Sequence, residues 1–147
     1  MRSGICGGTG IATQSIYLRG VLIKDCVVQH NNAIGVEAYP AGDVAAWIVS
    51  STIQDNPAGA YINQSVIKDS LIADNISING VVPGIYAENH SQVLNNDILD
   101  NHATVYPEAT GLRVRGAVVT GNVIRGNLSD RATAEALWAS GYFNDIT

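Results

Sequence analysis

The chain has 147 residues and a formal net charge of −5 at pH 7, with 46% hydrophobic and only 14% charged residues. This composition is too apolar for a disordered chain and too poor in charge for a coiled coil. We do not expect nucleic acid as a partner, because the chain is acidic and has no stripe of Lys and Arg. We expect no membrane partner either, because no stretch approaches the roughly 18 apolar residues of a membrane-spanning helix.

The chain begins with the Gly-rich segment MRSGICGGTG, which lacks the apolar core of a signal peptide. This segment runs directly into repeat-like sequence. We therefore expect residues 1–147 to form a single domain, which is either complete or a fragment of a longer protein. Cys6 and Cys26 are separated by close to one repeat length. They either come within disulfide distance on neighbouring repeats or remain two buried thiols.

A short pattern then occurs five times. In every copy the second and seventh residues are Ile or Val and the last is Asn, with a period of roughly 25 residues, as in solenoid proteins. We expect the closing Asn residues to stack inside the protein as a ladder, with their amides bonding one another and the turn backbone. The copies are LIKDCVVQHN (22–31), WIVSSTIQDN (47–56), VIKDSLIADN (66–75), QVLNNDILDN (92–101) and VVTGNVIRGN (118–127).

A second phrase lies between these copies. Its alternating apolar residues and the intervening Asn, Asp and Gly turns indicate two or three short strands in each repeat, which excludes helical repeats. The pattern predicts an all-β parallel solenoid, in which each repeat forms one coil about 4.8 Å above the last. Segment 129–141 reads as the last coil or as a short capping helix. The second phrase appears as SIYLRG (15–20), GVEAYP (35–40), GAYINQ (59–64), GIYAEN (84–89), GLRVRG (111–116) and ALWASG (136–141).

The phrases GIYAENHSQVLNNDILDN and GLRVRGAVVTGNVIRGN resemble the repeat of the pectin-lyase-like superfamily, and most of all that of mannuronan C5-epimerases and related polysaccharide lyases. The resemblance covers roughly residues 10–141. It implies a single-stranded right-handed parallel β-helix of about six coils, an extracellular or cell-surface location, and an acidic polysaccharide bound along the strand of the second phrase. Because such folds also serve without catalysis, the alternative is a module of a tailspike, adhesin or cell-surface protein that oligomerises through its end coils.

Alternation along the second phrase predicts which of its side chains face outward. Stacked coils would then present a stripe of aromatic rings and Arg side chains, which suits an acidic polysaccharide. The other interpretation is that these polar side chains only shield the sheet. The predicted substrate-binding residues are Tyr17, Arg19, Glu37, Tyr61, Asn63, Glu88 and Trp138.

Four residues are candidates for catalysis if the protein is an enzyme. A uronate lyase or C5-epimerase must neutralise the substrate carboxylate, remove the C5 proton and supply a proton. Arg113 or Arg115 would neutralise, His90 would be the base, and Tyr86 (or Tyr61) would be the acid. The epimerases' Asp-Pro-His motif is absent from the chain.

Three carboxylates precede the closing Asn on neighbouring coils: Asp55, Asp74 and Asp100. When they are stacked about 5 Å apart they either bind Ca²⁺ or serve as turn residues on a solvated edge. Ca²⁺ is therefore the one candidate cofactor, and the predicted chemistry requires none.

Overall fold

A computed structural model describes residues 3–4, 16–78, 82–105, 109–130, 135–140 and 145–146, with the side chains of residues 3–4, 16–18, 135 and 145–146 left aside. Every regular element within these ranges is a β-strand, and neighbouring strands in each sheet pair in parallel. The described residues include no helix that is long and apolar enough to cross a membrane.

The strands form four parallel sheets, named A to D. Sheet A contains β1 (Ser3–Gly4), β3 (Leu22–Lys24), β6 (Trp47–Val49), β9 (Val66–Lys68), β13 (Gln92–Leu94), β17 (Val118–Thr120) and β21 (Asp145–Ile146). Sheet B contains β2 (Ile16–Arg19), β5 (Ile34–Tyr39), β8 (Ala58–Asn63), β12 (Ile85–Glu88), β16 (Ala109–Arg115) and β20 (Glu135–Ser140). Sheet C contains β4 (Val27–Gln29), β7 (Thr52–Gln54), β10 (Leu71–Ala73), β14 (Asp97–Leu99) and β18 (Val123–Arg125). Sheet D contains β11 (Ile76–Ser77), β15 (His102–Ala103) and β19 (Leu128–Ser129).

The chain visits the sheets in the order B, A, C and, in the later coils, D before it returns to B. Each visit adds a strand beside the one laid down a coil earlier, as the pairing of Ile23 with Ile48 and of Ile48 with Ile67 illustrates. The sixth strand of sheet B is β20, which lies inside segment 129–141, whereas residues 131–134 and 141 lie outside the described residues. This architecture confirms the predicted parallel β-helix.

The core consists of the repeated Ile and Val columns. The second residue of each repeat faces inward from sheet A and the seventh from sheet C, and Ile48, Ile53, Ile67 and Ile72 are fully buried. Ile85 adds the matching contribution from sheet B. Branched side chains stacked in register fill the interior, and their removal from water drives folding.

Single residues with left-handed backbone form the turns after the strands of sheets A and C. After sheet C these residues are His30, Asp55, Asp74, Asp100 and Gly126, with φ between 53° and 66°. Asp, Asn and Gly tolerate this region better than other residues do, and Asp side chains also bond nearby backbone. The Asp residues before the closing Asn are thus the corners of the coil.

The predicted asparagine ladder is confirmed. The Nδ2 atom of each Asn donates to the Oδ1 atom of the Asn one coil further on, at 2.9 Å from Asn31 to Asn56, 3.1 Å from Asn56 to Asn75 and 2.9 Å in the next two steps. The same Oδ1 atoms also accept from the backbone N–H of the neighbouring coil, as Asn75 Oδ1 does from Asn56. The ladder therefore satisfies backbone groups that bend away from the sheets.

The cysteine prediction falls partly outside the described residues, which do not include Cys6. Cys26 is buried, and its Sγ atom donates to the carbonyl oxygen of Lys24 at 3.3 Å. Its backbone N–H donates to Ser51 Oγ on the next coil, so this position starts a second polar column inside the helix.

Candidate functional site

The outer face of sheet B carries two parallel rows of side chains. One row, here called the aromatic row, contains Glu37, Tyr61, Tyr86, Arg113 and Trp138, which are register partners from strand to strand. The other, called the polar row, contains Asn63, Glu88, Arg115 and Ser140. Parallel strands lie about 4.8 Å apart, so successive side chains in either row are close neighbours.

Glu88 is the centre of a hydrogen-bond network between the two rows. Its Oε2 atom accepts from the Tyr86 hydroxyl at 3.0 Å, and its Oε1 atom accepts from Asn63 Nδ2 at 2.9 Å and from the Tyr61 hydroxyl. Asn63 Nδ2 also donates to the Tyr61 hydroxyl oxygen at 3.3 Å. These donors come from β8 and β12, so the stacking of two coils holds one half-buried carboxylate in place.

Both tyrosines that donate to Glu88 are held in the protonated state. Burial raises the pKa of Tyr61 far above its usual value, and the hydrogen bond to the Glu88 carboxylate raises this pKa further. Burial also raises the pKa of Tyr86, again with the help of Glu88, while Arg113 and Arg115 act in the opposite direction. A phenolate beside a carboxylate in a partly desolvated site is unfavourable, so both hydroxyls remain donors at neutral pH.

A line of ring contacts runs along the same face. The ring centroids of Tyr39 and Tyr61 are 5.4 Å apart, and those of Tyr61 and Tyr86 are 5.3 Å apart in an edge-on arrangement. The Arg113 guanidinium follows, with its Cζ atom 4.6 Å from the Tyr86 ring and 4.9 Å from the Trp138 ring. Cation–π contacts on both sides fix the orientation of this cation over the sheet.

The remaining candidates from the sequence are Arg115, His90, Arg19 and Tyr17. Arg115 is exposed and pairs in register with Glu88. His90 is exposed and lies in the turn after β12 with φ 66°, and its backbone N–H donates to the carbonyl oxygen of Gly116 at 2.6 Å. Arg19 is exposed at the other end of the sheet. Tyr17 pairs with Glu37, but its side chain is outside the description.

The predicted calcium ligands occupy exposed corners of the coil. Asp55, Asp74 and Asp100 all have φ of 53° and lie after successive strands of sheet C. Across the described residues, no group of three or more His, Cys, Asp and Glu side chains has an arrangement that could hold a metal ion. Their backbone conformation is that of turn residues, and the binding of calcium by these three residues stays a prediction.

Sheet A carries a groove that was not predicted from the sequence. It has a volume of about 410 Å³ and is lined by Lys24, Lys68, Trp47 and Val49, together with Val44 from the loop 40–46 between β5 and β6. A signal was present in the sequence, because LIK (22–24) and VIK (66–68) carry Lys at the same position of two repeats.

The comparison with protein families agrees with this architecture. A family model described as a right-handed beta helix region matches residues 5–135, which is most of the chain. No curated protein and no solved structure matches the chain. Parallel coils, the internal ladders and this match together lead to one conclusion: the chain belongs to the right-handed β-helix family.

Proposed function

We propose that this protein binds an acidic polysaccharide along the outer face of sheet B and modifies it as a uronate lyase or C5-epimerase. The observation that carries the proposal is the network in which Tyr61, Tyr86 and Asn63 hold Glu88 while Arg113 lies between two aromatic rings. A substrate of this class implies an extracellular or cell-surface location, which we propose as well.

The shape and chemistry of the two rows suit an extended sugar chain. Tyr and Trp rings are platforms for the apolar faces of sugars, and Arg forks pair with carboxylates through two parallel hydrogen bonds. Arg115 is exposed beside the aromatic row, so its guanidinium is accessible to a uronate. Because the rows follow the axis of the solenoid, successive sugars would contact successive coils.

The candidate chemistry follows from the positions and protonation states of these groups. An Arg side chain, Arg115 foremost, neutralises the uronate carboxylate and so acidifies the C5 proton. His90, at the solvent-exposed turn beyond Glu88, is the candidate base that removes this proton. In elimination the C4–O4 bond breaks, a C4–C5 double bond forms and the leaving oxygen takes a proton. In epimerisation C5 takes a proton from the opposite face.

Tyr86 is the candidate proton donor in either reaction. Its hydroxyl is protonated at neutral pH, as a proton donor must be, and burial raises its pKa further above that range. Glu88 is a positioning residue in this scheme, because it orients both phenols without being assigned a proton transfer of its own.

The test uses purified protein and a panel of uronic-acid polysaccharides. Elimination is followed by the ultraviolet absorbance of the unsaturated product, epimerisation by exchange of the C5 proton in heavy water, and binding by affinity electrophoresis. We expect Arg115→Gln to weaken binding about tenfold, because one charge-assisted pair is lost. We expect Tyr86→Phe to retain binding and lose turnover.

Arg125→Gln is the matched control, since Arg125 is an exposed arginine on sheet C and its loss changes the net charge equally. If Arg125→Gln weakened polysaccharide binding as much as Arg115→Gln does, the net charge of the protein alone would account for the binding. Failure of every polymer in the panel to bind would refute the proposal. Binding without turnover would instead assign the protein as a non-catalytic polysaccharide-binding module.

A further inference from the structure

We propose a second binding site, in the groove of sheet A, for a small anionic ligand with a planar apolar body. The site is independent of the polysaccharide proposal because it lies on a different sheet and shares no residue with the two rows. Its volume of about 410 Å³ is in the usual range for small-molecule sites.

Three successive strands build the floor of the groove. Val49 of β6 pairs with Lys24 of β3 on one side and with Lys68 of β9 on the other, so the two lysines lie two strand spacings apart with an apolar residue between them. Trp47 stands two residues before Val49 on the same face and is 41% exposed. Val44 and Ala45, from the loop between β5 and β6, also line the groove, so the exposed indole lies in an apolar surrounding.

The charged residues that line the groove are cationic, although the molecule as a whole is acidic. The chain has a net charge of −5 and contains only two lysines, and both of them line this groove. Each has a loose ion pair with the residue after it, 3.8 Å from Lys24 to Asp25 and 3.6 Å from Lys68 to Asp69. Pairs this exposed are weak, and the ammonium groups can turn on their flexible stems toward an anion in the groove.

The apolar side chains that line the groove indicate the shape and polarity of the anionic ligand. Apart from the two lysines, the side chains are Trp, Val, Leu and Ala, which stack on and exclude water from a flat apolar surface but offer sugar hydroxyls no carboxylate, amide or hydroxyl partner. A ligand with an aromatic ring and a carboxylate or sulfonate satisfies both parts of the site, because the ring covers Trp47 and the acid meets the lysines.

The experiment compares two probes that share one apolar body. Anilinonaphthalene sulfonate carries the anion, and phenylnaphthylamine is its uncharged relative; binding of each is followed by probe fluorescence. We expect the double variant Lys24→Gln with Lys68→Gln to bind the sulfonate about tenfold more weakly and the neutral probe within about twofold of the parent protein. Val49→Asp places a carboxylate between the lysines and should abolish sulfonate binding.

Arg125→Glu serves as the control for net charge, because it lowers the net charge by two, as the double lysine variant does, and it is expected to leave both affinities unchanged. Sulfonate affinity that survives in the double variant and in Val49→Asp would overturn the proposal, since the dye would then bind elsewhere. So would the absence of sulfonate binding to the parent protein, or equal losses for both probes. Unchanged cooperative unfolding of the variants excludes misfolding as the cause of a loss.

Discussion

Replacing Asn75 by Ala removes the middle rung of the asparagine ladder without touching the apolar core. The Asn75 side chain makes four hydrogen bonds: its Oδ1 atom accepts from the backbone N–H and the Nδ2 of Asn56, both at 3.1 Å, and its Nδ2 atom donates to the Ile53 carbonyl at 3.1 Å and to Asn101 Oδ1 at 2.9 Å. Asn56 Nδ2 keeps other acceptors, and Asn101 Oδ1 still accepts from the Asn75 backbone.

Two buried groups therefore lose their side-chain partner, the N–H of Asn56 and the carbonyl of Ile53. The side chain loses four hydrogen bonds in all. At roughly 0.5–1.5 kcal/mol for each of them, Asn75→Ala should lower the free energy of unfolding by about 4 kcal/mol. That is a large part of the stability of an ordinary domain, which is on the order of 10 kcal/mol. Asn75 is 0% exposed, so water has no path to the two groups.

Asn127→Ala is the matched control because Asn127 makes the same kinds of contact, with Asn101 N–H, Asn101 Nδ2, Ile98 O and Arg125 O. Asn127 is only half-buried, so water replaces part of what is lost and we expect about 2 kcal/mol. Urea unfolding followed by circular dichroism measures both variants. Two results would refute the view that burial of the ladder sets its contribution to stability. One is an equal loss of unfolding free energy in the two variants, and the other is a loss below about 1 kcal/mol in Asn75→Ala.

Two further predictions concern packing and pH. A Cβ atom at Gly84 would overlap the carbonyl oxygen of Gly111, so Gly84→Ala should lower the free energy of unfolding by at least about 3 kcal/mol. Gly42→Ala is the control and should lower it by about 1 kcal/mol, because a Cβ atom there meets nothing within 4 Å but is strained by φ of 59°. Thermal unfolding compares the two variants, and equal losses of stability would contradict the predicted clash. Raising the pH above 10.0, the usual pKa of tyrosine, should reduce stability, because the unfolded chain loses the Tyr61 proton first while burial and Glu88 keep it in the folded state. In Tyr61→Phe this part of the alkaline loss disappears, and an unchanged pH profile of the urea midpoint would contradict the assignment.

The core and the coil could be predicted because they depend on local patterns that repeat. Each repeat has Ile or Val at its second and seventh positions and Asn at its last. Stacking the repeats as parallel coils turns these positions inward, as it does for Ile67, Ile72 and Asn75. Strand alternation also assigned Tyr86 and Glu88 to the outer face, where both are half-buried.

Alternation fails where the backbone leaves the strand. His90 was predicted as the base from the sequence. Asn89 and His90 both have positive φ, so the period of two ends at Glu88 and does not set the direction of the His90 side chain. Left-handed φ also occurs at Asp55, Asp74 and Asp100, and Asp is one of the residue types that adopt it at a turn.

Sequence by itself thus determined the fold, the inward columns and the outward face, since each follows from the spacing of residues within one repeat. Only the tertiary structure decided which outward side chains meet. The Tyr61–Glu88 hydrogen bond joins residues 27 positions apart, and the groove brings Lys24 and Lys68 to the two sides of Val49. The physical reason is that loops of unequal length connect the strands of successive coils. Which side chains meet across two coils therefore depends on how each loop brings the next strand into register.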